Sequence, residues 1–177
     1  MCTSTTTERN LKLSTQWSAK GAEESINQQF GLTPEGHIYA ISMPTLVLGF
    51  KEGIFGWNEG ARVKLQLQYK MDEKEQRWDF IVPNFNKTEK EADAGSVKSL
   101  TPETAANIEG TFPDDFFYIM SQESGLLLGV EGGSTVAGGK LTVDTMRPKD
   151  HNSQLWQFWD GMLINKKSGL ALDLEKG

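Results

Sequence analysis

A short motif, Gln-x-aromatic-x-apolar, occurs three times in this chain, and its spacing restricts the fold more than any other feature of the sequence. The three copies are Asn27-Gln28-Gln29-Phe30-Gly31-Leu32, Glu75-Gln76-Arg77-Trp78-Asp79-Phe80 and Ser153-Gln154-Leu155-Trp156-Gln157-Phe158. Phe30 to Trp78 is 48 residues, whereas Trp78 to Trp156 is 78. The excess of 30 matches residues 84–113, which are polar around Asn86-Lys87-Thr88-Glu89-Lys90-Glu91 and lack strand periodicity until Phe112, so they read as a mobile surface insertion. From Trp156 through the C-terminus and on from Met1 to Phe30 is 51. Around a ring, the intervals are therefore 48, 48 and 51.

Each repeat carries the makings of four strands. Gly36-His37-Ile38-Tyr39-Ala40-Ile41, Phe116-Phe117-Tyr118-Ile119-Met120 and Gly161-Met162-Leu163-Ile164 supply the first, and triple-apolar runs at Leu46-Val47-Leu48, Leu126-Leu127-Leu128 and Leu170-Ala171-Leu172 the second. Alternating segments at Leu11-Lys12-Leu13, Val63-Lys64-Leu65-Gln66-Leu67 and Leu141-Thr142-Val143 supply the third, and the motif itself opens the fourth. Period-two alternation with Gly-rich turns argues for an all-β protein. The expectation is a β-trefoil, one domain over 1–177: units 36–82 and 114–158, and a third made of 159–177 plus 1–30, split between the termini. Twelve short strands close such a barrel without a long exposed edge.

Composition removes several function classes. Lys plus Arg number 18 against 24 Asp plus Glu, a net charge of −6, so no basic surplus is available for a nucleic-acid backbone. The single cysteine, Cys2, cannot form an intrachain disulfide and has no readable base beside it. His37 and His151 are too scattered for a zinc site, and neither metal nor cofactor is implied. No apolar run reaches the roughly 18 residues of a membrane span, and Met1-Cys2-Thr3-Ser4-Thr5-Thr6-Thr7 has no signal-peptide core. A cytoplasmic chain is expected, with non-classical export left open; without a signal peptide, Asn86-Lys87-Thr88 reads as a chance glycosylation pattern.

Three Gln-x-aromatic motifs inside four-strand units resemble the ricin-B-type (R-type) lectins, and Ile164-Asn165-Lys166-Lys167-Ser168-Gly169-Leu170-Ala171-Leu172-Asp173-Leu174 is similar to their fungal members. The chain order departs from that family, so the sequence looks like a circularly permuted trefoil or a segment of a longer repeat array. The resemblance implies binding of galactose or N-acetylgalactosamine glycans. An Asp late in the second strand would accept from sugar hydroxyls, an aromatic after the third strand would stack on the ring, an Asn before the motif would complete the polar side, and the motif Gln would steady the Asp.

By that pattern Gly49 and Gly129 disable two units, since glycine carries no acceptor. Tyr69 could stack in its unit, but Glu75 stands where Asn is wanted; Asn152 comes one residue early, and no aromatic lies near Asp144 and Met146. The split unit alone has Asp173, Trp17, Asn27 and Gln28, which form the expected carbohydrate site. Plainer roles stand beside these. The motif glutamines and aromatics are structural, Trp17 could be a core or rim residue, Asp173 could flank a turn, Trp159 reads as surface packing, and Phe55 and Trp57 sit in a hairpin loop. The expected partners are glycans or glycoproteins, with oligomers or a domain swap conceivable. The competing reading is a trefoil interaction or inhibitor module with degenerate sugar positions. Catalysis ranks last, because no positioned acid pair is visible.

Overall fold

The computed structural model describes residues 8–16, 25–50, 59–68, 76–83 and 110–175. Trp17, Phe55, Trp57, Tyr69, Glu75, Cys2 and residues 84–109 of the insertion lie outside them. The described chain is all-β, with fourteen short strands: β1 Glu8–Arg9, β2 Leu11–Ser14, β3 Phe30–Leu32, β4 Ile38–Ala40, β5 Met43–Gly49, β6 Ala61–Arg62, β7 Lys64–Leu67, β8 Trp78–Ile81, β9 Phe117–Ser121, β10 Leu127–Val130, β11 Leu141–Asp144, β12 Leu155–Trp159, β13 Met162–Asn165 and β14 Ala171–Leu174.

Six of these strands close into a ring. β3 pairs with β4, β12 with β13 and with β9, and β8 with β9, all antiparallel. Two backbone bonds complete the circuit: Phe30 N–H donates to Gly161 O beside β13 at 3.0 Å, and Trp78 N–H donates to Gly36 O beside β4 at 3.0 Å. Closure leaves the barrel strands no open edge, which explains how strands of three to five residues persist.

The remaining strands form three hairpin-like pairs in one register. Leu48 lies opposite Leu65, Leu128 opposite Val143, and Leu172 opposite Leu13. The pairs also meet one another in a cycle. β1 adds to β7, β6 adds to β11, and Gly138 N–H donates to Leu13 O at 2.7 Å while Leu13 N–H donates to Gly139 O at 2.9 Å. A closed six-strand barrel with three hairpins cycling about one axis is a β-trefoil arrangement.

Alternation places the core. In β2, Leu11 and Leu13 are buried while Lys12 and Ser14 are half-exposed. Phe30, Trp78 and Trp156 occupy equivalent core positions, each almost fully buried. The two indoles do not waste their N–H groups: Trp78 Nε1 donates to Leu48 O at 3.1 Å and Trp156 Nε1 to Leu128 O at 2.9 Å. Phe30 needs no such partner, and burying an indole without one would be costly. The end of the insertion is not loose at all. Phe112 stacks on Phe158 at 4.3 Å and meets Phe80 edge-on at 5.5 Å, closing the core beside it.

Candidate functional site

The motif glutamines repeat one bond three times. Gln28 Nε2 donates to Thr15 O at 2.8 Å, Gln76 Nε2 to Leu67 O at 2.8 Å, and Gln154 Nε2 to Thr145 O at 2.9 Å. Each acceptor lies two residues beyond the core residue of the third strand, namely Leu13, Leu65 and Val143. All three amides are buried, so each ties the end of a third strand to the start of a fourth. What differs among them is what stands beside the glutamine.

Beside Gln28 stands Asp173. Gln28 Nε2 also reaches Asp173 Oδ2 at 3.4 Å. Asp173 is only 8% exposed, and among the described residues Gln28 is its one hydrogen-bond partner. A carboxylate has room for about four hydrogen bonds, so acceptor capacity is left over at the surface of an otherwise buried group. Asn27 precedes Gln28 in the same 3₁₀ turn, Ser25–Gln28, is half-buried, and makes no side-chain hydrogen bond among the described residues. The structure thus brings Asp173 and Gln28 into contact and sets Asn27 next to them. Trp17 lies outside the described residues. Lys12, which the sequence gives no reason to single out, is directly opposite Asp173 across β2 and β14 and on the same face of the pair.

In the other two positions the protein's own side chains occupy the space. A Cβ added at Gly49 would come within 2.6 Å of Gln66 Oε1 and 3.1 Å of Gln76 Cγ, and Gln76 Nε2 reaches that same Gln66 oxygen at 3.5 Å. An amide from the third strand therefore stands in for the missing carboxylate. At Gly129 an added Cβ would lie 2.8 Å from Gln154 Cγ. On the third strand of this repeat the carboxylate of Asp144 is already paired: Thr142 Oγ1 donates to Asp144 Oδ2 at 2.8 Å and Arg147 Nη2 donates to it at 2.6 Å. Arg147 Nη1 in turn donates to Val130 O at 2.8 Å and Ser153 Oγ at 3.2 Å. Arg147 thus makes three side-chain hydrogen bonds and joins Asp144 to Val130, the residue after Gly129, and to Ser153.

Among the described residues no group of three or more His, Cys, Asp or Glu could hold a metal ion, and no helix is long and apolar enough to cross a membrane. His37 is buried in the turn between β3 and β4, where its backbone N–H donates to Thr33 Oγ1 at 3.1 Å. Burial, helped by the nearby Arg77 and opposed by Glu35, pushes its imidazole below the ordinary histidine range.

No protein-family model matches the chain. Over 52 residues, 29% of the chain, it is 42% identical to Mucoricin of Rhizopus delemar. The match spans 35% of that protein, so about a third of the relative's length is represented here. The similarity supports a ricin-B-like relationship. Among solved structures, a designed threefold symmetric protein, ThreeFoil, aligns with 85% of the chain and 90% of its own length, at a TM-score of 0.46 and 15% identity.

Proposed function

We propose that this protein is a non-catalytic lectin with one carbohydrate site, built from Asp173, Gln28 and Asn27, with Trp17 as the stacking aromatic. One observation carries the reading. Asp173 is a nearly buried carboxylate with a single hydrogen-bond partner among the described residues, while at the equivalent glycines of the other two repeats the space is taken by Gln66 and by Gln154. Sugar hydroxyls are the natural donors to such a carboxylate, because they pair with it without adding a charge. Galactose or N-acetylgalactosamine glycans are the ligand class we favour, on the resemblance of the motifs. We read β13, β14, β2 and β3 as the third trefoil unit, divided between the two ends of one domain and circularly permuted relative to R-type lectins. The site then falls at the seam.

A shallow site with few directional bonds binds a monosaccharide weakly, and one site per chain gives avidity only in a larger assembly. The filled positions at Gly49 and Gly129 favour a second reading, a trefoil interaction module that has lost its sugar sites. A glycan array probed with the wild-type protein and with Asp173→Ala separates the two. Selective binding that disappears in the variant supports the lectin; a folded protein that selects no glycan supports the interaction module.

A further inference from the structure

Beyond the Asp173 site, the hairpin of β12 and β13 carries an indole that the core does not use. Trp156 and Phe158 point inward from β12, so Trp159 lies on the outer face, where it is 64% exposed. Asp160 and Gly161 follow with φ of 50° and 80°, the two left-handed residues of a tight hairpin turn, and Trp159 pairs with Met162 across it. Gln29 fastens this turn to the neighbouring chain: its Nε2 donates to Asp160 O at 3.1 Å.

The same residue gathers other apolar groups. Gln29 N–H donates to Ile26 O at 3.2 Å, and Ile41 N–H donates to Gln29 O at 3.0 Å. Ile26, Ile41 and Trp159 are three of the four large apolar side chains exposed among the described residues, and all sit on segments bonded to Gln29. The preceding residue, Gln28, holds Asp173. The short stretch Ile26–Gln29 therefore runs from the carboxylate to the indole.

We infer that the ligand seated on Asp173 is an oligosaccharide that continues over Ile26–Gln29 and stacks a further sugar on Trp159. This rests on the sugar-binding reading above and adds a second subsite to it. The chemistry around the indole favours a sugar over a protein partner. Trp159 protrudes at a hairpin tip, and beside it stand the exposed Asp160 carboxylate, without a side-chain partner among the described residues, and the amide of Gln29. A pyranose presents C–H groups to a ring and hydroxyls to such flanking acceptors, whereas the centre of a protein interface is depleted of charge.

The test is titration of wild type, Trp159→Ala, Trp159→Phe and Asp173→Ala with a galactose-terminated series from mono- to trisaccharide, alongside light scattering. Wild-type affinity should rise about two- to tenfold with length, the range that one stacked ring supplies. Trp159→Ala should lose that gain and keep monosaccharide affinity, and Trp159→Phe should retain most of it. A length gain that persists in Trp159→Ala overturns the second subsite while leaving the first. So does a dimer that Trp159→Ala converts to monomer with no length dependence, since the patch is then a self-contact. Wild type that binds no member of the series overturns both.

Discussion

Gln28 and Asp173 stand 145 residues apart in the chain and are joined by a buried hydrogen bond from Nε2 to Oδ2 at 3.4 Å. The bond links the start of β3 to β14, whose Leu172 lies opposite Leu13 of β2. Fold and candidate site therefore share one residue: the amide that fastens Thr15 O also orients the carboxylate.

Replacing Gln28 by Ala removes the donor to Thr15 O and to Asp173 together. Leaving buried acceptors unpaired costs about 1–3 kcal/mol. Denaturant unfolding should show a loss of that size, and glycan affinity should fall with it. Gln76→Ala should cost a similar amount of stability and leave glycan affinity unchanged.

Gly129→Asp puts a carboxylate at the position equivalent to Asp173, yet no new site should result. Gln154 Cγ lies 2.8 Å from where the new Cβ must go, and Ser153 O lies 3.4 Å from it. Overpacking of this kind costs about 1–3 kcal/mol. The expected outcome is a lower melting temperature with binding stoichiometry unchanged, read by calorimetry.

Arg147→Met removes the guanidinium from Asp144 Oδ2, Val130 O and Ser153 Oγ, leaving the half-buried Asp144 charge with Thr142 Oγ1 but without its ion-pair partner. Side-chain exposures of 24% and 15% leave some solvent screening, so the loss should be about 1–3 kcal/mol rather than that of a fully buried pair. Thermal unfolding of the single variant, and of Arg147→Met with Asp144→Leu, checks this. The double variant should recover part of the loss, because no charge is then stranded.

Acid should destabilise the fold through groups that include Glu175 and His37. The Lys140 ammonium, hydrogen bonded to Glu175, holds that carboxyl below its ordinary value of 4.5. Its contribution is thus present above that value and lost as pH falls through the lowered one. His37 is held below its ordinary 6.5 chiefly by burial. The unfolded chain takes up its proton first, so stability begins to fall as pH drops below about 6.5. Melting temperatures should be level near neutrality, decline from about pH 6.5 and fall further below about 4.5. His37→Gln should flatten the first decline, and Lys140→Met should reduce the second, to which Asp150 also contributes.

Much of this architecture is legible in the sequence because threefold closure repeats residue types at fixed intervals. Phe30, Trp78 and Trp156 must each fill the same core position, and Gln28, Gln76 and Gln154 must each bond a third-strand carbonyl. Asp173 was readable for the same reason, as the acceptor absent at Gly49 and Gly129. The contacts of Gln66 and Asp144 were not. Both act from the neighbouring strand, so no motif position signals them; only the register of β5 with β7 and of β10 with β11 brings them across. Lys12 was missed because a lysine in an alternating strand reads as a solvated face, and its place opposite Asp173 depends on how β2 and β14 align. Trp159 read as surface packing, although its exposure follows from strand alternation with Trp156 and Phe158 inward.

The most direct test of a single sugar site centred on Asp173 is NMR titration of isotope-labelled protein with galactose or N-acetylgalactosamine. One sugar should bind per chain, with the largest shifts at the Asn27 and Gln28 side-chain amides and none at Gly49 or Gly129, and Asp173→Asn should abolish the response while the rest of the spectrum stays folded. Shifts that persist in Asp173→Asn, or that centre on Gly49 or Gly129, would contradict the account.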